Sequence, residues 1–331
     1  MESFHFLDPF QTAVVPIGDW VAIAIRWVVV NFRGFFQEIK QPINFILSNT
    51  EAGLHACPPL VFIAVLFLLA WQVAEIGTAV FVAVCLCAIG LIGAWSGAMT
   101  TLAIVLTSVI FCCSVGIPLG ILAAQNTAVE KVLRPVLDFM QTIPSFVYLV
   151  PIVMLFGIGN VSGVIVTIIY ALAPVIRLTS LGIRQVRADL VEASTAFGGG
   201  SLQTLLKVQL PLARPTIMTG VNQTVMLSLS MSVIASMISV TGLGQMVLRG
   251  IGRLDIALAT TGGLGIVLTA MVVDRISQGI GGSHRSRARG KWTETGPIGL
   301  LVQRCRVLPG TKPLAIARRV SDGKAESKIP L

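Results

Sequence analysis

The residues whose types and spacing could do chemistry are gathered in one polar segment, 189–211, between two long apolar stretches. Asp189 and Glu192 have the spacing of a capping box, in which one residue caps a helix and the other returns to the cap. Gly198 to Gly200 tolerate the positive φ that ends many helices. Ser201 can cap a second short helix, which Pro211 is expected to end. The segment is therefore predicted to form a helix–turn–helix.

Four apolar residues of this segment, Leu190, Val191, Leu205 and Leu206, are expected to be available for contact. From the pattern alone, an ordinary hairpin explains the segment as well as a docking surface does. Glu192 has the same two interpretations, because its carboxylate can close a capping box or face a basic partner.

Catalytic, nucleotide-binding and metal sites are not visible elsewhere in the sequence. No GxxxxGK[ST] pattern occurs, since Gly290-Lys291 and Gly323-Lys324 lack the upstream glycine and the following hydroxyl residue. No paired carboxylates and no Ser/His or Cys/His arrangement lie in the apolar stretches, so no catalytic residue is assigned. The three histidines are far apart and no cysteines have CxxC spacing, so no metal site is predicted.

The elements that must position these residues are membrane-spanning helices. Of 331 residues, 54% are hydrophobic and 12% are charged, about half the charged share of a soluble domain. Apolar stretches of about 20 residues can cross a bilayer as helices, which satisfy their own backbone hydrogen bonds. The predicted fold is all-α and membrane-integral, with about seven transmembrane helices. They lie at roughly 54–74, 76–95, 98–124, 139–159, 161–183, 216–240 and 256–276.

Three prolines, Pro144, Pro151 and Pro174, interrupt the fourth and fifth predicted spans. Such prolines are tolerated where neighbouring helices satisfy the freed backbone groups, so these helices are expected to face protein or a cavity. Phe146 and Tyr148 lie in the proline-broken helix, where their rings can line a pathway or simply pack. Pro144, Phe146, Tyr148 and Pro151 form the second candidate site.

Composition divides the chain into three parts. Residues 1–53 mix apolar and charged positions and are predicted to form an extracytoplasmic, interfacial amphipathic segment. Residues 54–281 form the transmembrane domain, with its core at about 98–278. Residues 282–331 form a basic tail that is expected to be disordered and to lie beside anionic lipid, not nucleic acid. Because the 184–215 loop and this tail are both basic, the N-terminus is predicted outside and the C-terminus inside.

A resemblance to a known family rests on the polar segment. From Glu192 to Pro211 the sequence reads Glu-Ala-Ser-x3-Gly-x9-Val-x-Leu-Pro, which resembles the Glu-Ala-Ala loop of permeases in binding-protein-dependent ABC importers. Ser194 and Val208 stand where alanine and isoleucine are usual. Two further stretches, 132–160 and 241–255, look like the glycine betaine/L-proline permeases of osmoprotectant uptake systems.

The resemblance implies a type I ABC importer permease fold in a bacterial inner membrane, with a cytoplasmic coupling-helix loop. It implies four kinds of partner: cytoplasmic ATPase subunits, an extracytoplasmic solute-binding protein, a second permease copy forming a homodimer, and the lipid membrane. ATP is bound by the partner ATPase, and no cofactor is expected in this chain. The residues to which the resemblance assigns ATPase coupling are Asp189, Glu192, Ala193, Gly198, Val208, Leu210 and Pro211.

Other classes of membrane protein fit the sequence less well. An ion-coupled secondary transporter of small zwitterions would more often place a carboxylate near the midplane. Here Glu75, Arg177, Asp274 and Arg275 lie near predicted helix ends, where they are expected to act as anchors. A scaffold or channel has no reason to carry the spaced Glu-Gly-Pro loop. The solute is open among betaine, proline, choline and other amino-acid-like compounds.

Overall fold

A computed structural model describes residues 17–281, and the predictions for the basic tail 282–331 lie outside this range. The described part of the chain is helical and contains no β-strand, which confirms the all-α prediction. Its twelve α-helices are α1 (Ile17–Ala56), α2 (Pro59–Val73), α3 (Ile76–Leu91), α4 (Trp95–Gln125), α5 (Thr127–Thr142), α6 (Leu149–Phe156), α7 (Asn160–Arg184), α8 (Ala188–Ala196), α9 (Ser201–Thr204), α10 (Leu210–Ile234), α11 (Leu243–Arg253) and α12 (Ile256–Gly281).

Four helical stretches within residues 17–281 are long and apolar enough to cross a membrane: α4, α7, α12 and the continuous stretch Ser201–Ile238 that contains α10. The number rises to six if α1 with α2, and α5 with the 145–156 segment, each count as one bent span. α3 is apolar but shorter. The predicted count of about seven is therefore approximate.

Two predicted spans, 54–74 and 139–159, are not straight helices. The chain bends by 106° between α1 and α2, where Pro58 precedes the helix and Pro59 is its first residue. It bends by 100° between α5 and the 145–156 segment, where Pro144 has an extended conformation. Proline forces the residue before it out of the helical region, so each apolar stretch is divided at its proline.

The centre of the described fold is α7, which packs against α4 on one side and α10 on the other. The helices approach closely because small residues lie between them. A Cβ added to Gly120 of α4 would lie 2.6 Å from the Cβ of Thr179, and one added to Gly220 of α10 would lie 3.0 Å from the Cβ of Leu178. These three helices form a tight core that carries the polar segment.

Asp274 lies farther from the end of its helix than predicted, because α12 continues to Gly281, five residues beyond the predicted end at 276. The predicted span ends sooner because the last turn of α12 is less apolar. Arg177 lies about where predicted, since α7 ends at Arg184, one residue beyond the predicted 183. That these charges anchor the helix ends stays a prediction.

Candidate functional site

The first helix of the polar segment, α8, does not begin with the predicted capping box. Arg187 is its N-cap and provides no side-chain cap. The Arg187 guanidinium instead donates to both carboxylate oxygens of Asp189, at 3.1 and 2.6 Å, and holds that side chain away from the helix N-terminus. Glu192 lies five positions after the N-cap, too far along the helix to return to it. Among residues 17–281, nothing forms a hydrogen bond or ion pair with the exposed Glu192 carboxylate.

The turn after α8 has the predicted positive φ at Gly198, where φ is +81°. The Gly198 N–H donates to the Thr195 carbonyl and the Gly199 N–H donates to the Ser194 carbonyl, both at 2.9 Å. This pair of bonds is a Schellman motif, which satisfies the last carbonyls of a helix and reverses the chain.

A hydroxyl pair holds the two short helices together. Ser194 Oγ of α8 lies 2.9 Å from Thr204 Oγ1 of α9, so one hydroxyl donates to the other. Ser194 is also the position where the family usually has alanine, which has no such group to offer. The departure from the family pattern therefore adds a contact inside the segment.

The second half of the segment differs from prediction at two residues. Ser201 is not a cap, because Gly200 takes the N-cap position. Pro211 does not end a helix, because a π-helical turn at Leu205–Gln209 leads directly into α10. In that turn the Leu210 N–H donates to the Leu205 carbonyl five residues back. The wider turn accommodates the proline ring and its missing N–H, so the helix continues.

The apolar residues of the segment divide into an anchored set and an exposed set. Leu205 is buried with Ile183, Ala213 and Ile217, which corrects its predicted availability for contact, and Leu210 packs against the same cluster. The exposed set includes Phe197, which is 93% exposed, with Leu202 and Leu206.

Phe197 and Leu202 are exposed but are not among the four apolar residues that the sequence predicts to be available for contact. The available signal was an apolar residue directly before Gly198 and another at the second position of the next helix, both in a segment outside the predicted spans. Leu190 and Ala193 are exposed as well, and Val208 is half-buried. We call the exposed side chains of Leu190, Glu192, Phe197, Leu202 and Leu206 together the exposed face of the segment, although Leu190 and Glu192, two residues apart, point to different sides of α8.

Two ion pairs connect α7, the helix that leads into the segment, to α5. Arg184, the last residue of α7, lies 2.6 Å from Glu130 of α5 and donates to the Ala123 carbonyl of α4 at 2.6 Å. Arg177 lies 2.6 Å from Asp138, also of α5. Both pairs line a cavity of about 440 Å³ between α4, α5 and α7. The segment is thus fixed at its start by charge and at its end by the Leu205 cluster.

The second candidate site lies at the bend between α5 and α6. The Tyr148 hydroxyl donates to the Met140 carbonyl at 2.9 Å and its ring packs on the central cluster. Phe146 is 57% exposed, whereas Pro151 is half-buried in the first turn of α6. Lys40 of α1 donates to the Phe156 carbonyl at 2.8 Å and so holds the far end of α6. Of the two aromatic side chains, Phe146 is the exposed one, and its lining of a solute pathway stays a prediction.

Two stretches that carried the family resemblance meet in space. Asn160, at the start of α7, donates to the Thr241 hydroxyl at 2.8 Å and accepts from the Thr241 N–H at 2.9 Å. The next turn is fixed to α4, since the Leu243 N–H donates to the Thr101 hydroxyl at 2.9 Å. The resemblance therefore covers residues that pack together at the start of α7 and of α11.

A family model described as the inner membrane component of binding-protein-dependent transport systems matches residues 116–286. This range contains the whole polar segment, the bend between α5 and α6, and the Asn160–Thr241 contact. The chain belongs to this family.

Named relatives place the family membership more narrowly. The glycine betaine/proline betaine transport system permease protein ProW of Escherichia coli is 58% identical over 92% of this chain and 86% of its own length. The glycine betaine transport system permease protein OpuAB of Bacillus subtilis is 41% identical over 82% of this chain and 97% of its own length.

A solved structure of the MetNI methionine ABC transporter in an inward-facing conformation covers 59% of this chain and 95% of its own, with 21% identity and a TM-score of 0.53. That similarity shows a shared fold. As a member of the family, the chain is a multi-pass permease subunit of the inner membrane. Systems of this family work with ATPase subunits and a solute-binding protein.

Proposed function

We propose that this permease imports a small zwitterionic compatible solute such as glycine betaine or a proline derivative, and that it couples closure of a partner ATPase to alternating access. The observation that carries the coupling proposal is the exposed face of the 189–211 segment. It consists of four exposed large apolar side chains and one exposed carboxylate that has no partner among residues 17–281. Exposed apolar side chains together with one charge suit a protein partner that offers apolar pockets and a basic group.

The attachment of the segment supports a mechanical role. An ion pair between Arg184 and Glu130 fixes its start to α5, and the Leu205 cluster fixes its end to α4 and α7. A displacement at the exposed face is then passed to α7 and to the continuous 201–238 helix. Interfaces packed this tightly move between discrete arrangements instead of deforming gradually.

The solute class comes from the relatives. Both named relatives are glycine betaine permeases, and they match across most of this chain and of their own lengths. Glycine betaine carries a quaternary ammonium and a carboxylate. Because transport leaves the solute chemically unchanged, the permease requires no catalytic group. ATP is hydrolysed by the partner subunits, because the sequence has no phosphate-binding loop of its own. The permease works as a homodimer, with its N-terminus outside and its C-terminus in the cytoplasm.

Reconstitution in liposomes tests this function. The permease is assembled with its ATPase and binding protein, and uptake of labelled glycine betaine, proline and choline is measured. We expect uptake to require both ATP on the ATPase side and the binding protein, and to survive collapse of the proton and sodium gradients. Uptake that an ion gradient drives without the ATPase would contradict the proposal and favour a secondary transporter. Preference for a different amino-acid-like solute would correct the substrate alone.

A further inference from the structure

A cavity of about 550 Å³ lies between α7, α10, α12 and the last turn of α5. Its lining is polar for a helical membrane domain. One carboxylate and four amides contribute: Asp274 and Gln278 from α12, Asn222 and Gln223 from α10, and Gln141 from α5. Gln223 and Gln278 are exposed, so the cavity reaches the surface of the single chain.

The polar residues lie well inside the helices. Asp274 is about two turns from the end of α12, and Asn222 lies twelve residues after Leu210, roughly 18 Å along α10. A carboxylate within a helix that is long and apolar enough to cross a membrane usually marks a pathway for ions or polar solutes. The polar groups on these helices are therefore better suited to a surface that water or protein covers than to lipid.

Two of these groups have oxygens that a ligand could engage. The side-chain oxygen of Asn222 is buried without a hydrogen-bond donor among residues 17–281. The half-buried Asp274 accepts from Gln278 at 2.7 Å but takes part in none of the three ion pairs in the described range. The carboxylate without a cation favours a ligand with positive charge, and the Asn222 oxygen favours a hydrogen-bond donor.

We infer that this cavity is a binding site on the solute path that receives the positively charged end of a small zwitterion, with Asp274 supplying the attracting charge. The inference rests on the proposed transport function. The amides can turn their oxygens toward the cation or their N–H groups toward the solute carboxylate. None of the described residues that line the cavity is aromatic, so it lacks the cage that binds quaternary ammonium groups tightly. Weak binding suits a path, because the solute must also leave.

A charge-sensitive labelling experiment tests the site without using transport. Gln223→Cys is introduced into the full chain with its six native cysteines replaced, in the ATP-free complex with the ATPase. The rates of reaction with a quaternary-ammonium thiol reagent and with a sulfonate reagent of similar size are compared. We expect the cationic reagent to be favoured, and Asp274→Asn to lower the cation-to-anion rate ratio roughly fivefold. Glu75→Gln removes the same charge at an exposed position outside the cavity lining and should leave the ratio unchanged.

The site is refuted if Asp274→Asn leaves the ratio unchanged, or if Gln223→Cys reacts with neither reagent. Uptake then tests its role: Asp274→Asn in the native chain should lower glycine betaine uptake roughly fivefold relative to Glu75→Gln, compared at equal amounts of assembled complex. Unchanged uptake in this variant overturns the role in transport. Absence of glycine betaine uptake in the unmodified complex, with charge-selective labelling intact, counts against the proposed substrate and leaves the cationic site standing.

Discussion

Glu192 carries an exposed carboxylate at the middle of α8, and no cation or cap within residues 17–281 engages it. The structure removes the capping-box explanation, because the helix begins at Ala188 with Arg187 before it. A charge that has no partner in the described part of its own chain is available to another subunit. We therefore predict that Glu192→Gln leaves the permease folded but reduces substrate-stimulated ATP hydrolysis, since losing a desolvated charge pair costs about 2–5 kcal/mol.

The comparison variant for this prediction is Asp189→Asn, which removes the same charge from the same helix. The Asp189 carboxylate is already bound by Arg187, so its loss should affect the ATPase less. Stimulation is measured in reconstituted complexes with saturating binding protein and solute. Equal stimulation in wild type and Glu192→Gln would mean that the carboxylate does not contact the ATPase.

Phe197 leads to the second prediction at the residue scale. Its side chain is 93% exposed at the end of a helix that lies outside the candidate spans, an arrangement typical of an aromatic anchor for a partner. Phe197→Ala should weaken ATPase binding by about 2 kcal/mol, roughly 30-fold in Kd. Leu254→Ala removes an equally exposed apolar side chain between α11 and α12 and should leave Kd unchanged. Similar affinities for both variants, measured by titrating detergent-solubilised permease with ATPase, would contradict an anchor role.

At the scale of elements, the turn between α8 and α9 depends on the backbone conformation of one glycine. Gly198 has φ +81°, whereas Gly200 has φ −68°, and an added Cβ would meet no atom within 4 Å at either position. Gly198→Val should therefore cost about 1–3 kcal/mol from backbone strain alone and lower uptake. Gly200→Val places the same side chain in equally open space and should be tolerated. Uptake assays on membrane-inserted complexes test the pair, and equal uptake would rule out a role for the positive φ.

The contact between α4 and α7 gives a second prediction at this scale. A Cβ at Gly120 would approach the Thr179 Cβ to 2.6 Å and the Ile176 carbonyl to 2.9 Å, so the two helices must separate. Gly120→Ala should lower stability by about 1–3 kcal/mol. Gly263→Ala in α12 meets nothing within 4 Å and should be neutral or slightly stabilising, since alanine favours helices. Thermal unfolding in detergent measures both, and an unshifted Tm for Gly120→Ala would contradict the close packing.

Apolar length and the turn glycine were predictable from sequence, because each depends on a local property. The helices at 98–124, 161–183 and 256–276 were predictable because each is an apolar stretch long enough to cross a bilayer. The turn at Gly198 was predictable because glycine tolerates positive φ. The errors came from residues whose effect depends on neighbours. Asp189 pairs with Arg187 instead of capping. Pro211 does not end a helix because a π-helical turn precedes it, and a proline in the sequence does not indicate such a turn.

At the scale of the whole molecule, one copy of the chain leaves a polar opening in its membrane domain. Asp274, Gln278 and Gln223 line a cavity that reaches the surface among apolar helices. Amides and a carboxylate on helices that can span a membrane would lose hydration energy if they faced hydrocarbon. Water or protein must therefore cover the opening. A second copy placed there would enclose a water-filled path between the two permeases.

The predicted homodimer can be tested at this opening. If the cavities of two copies face each other across a two-fold axis, the same residue on each copy comes close to its counterpart, as in any isologous interface. Gln278→Cys in a chain without other cysteines should then form a disulfide-linked dimer on mild oxidation in native membranes. Val84→Cys, on an exposed apolar position of α3, should not, because lipid covers that surface. The cross-linked fraction is read from non-reducing gels, with native mass spectrometry giving the number of permeases in each complex. Equal cross-linking at both positions, or a single permease per complex, would refute the facing arrangement. Only a shared two-fold interface brings residue 278 of two copies together while it leaves residue 84 of the same copies apart.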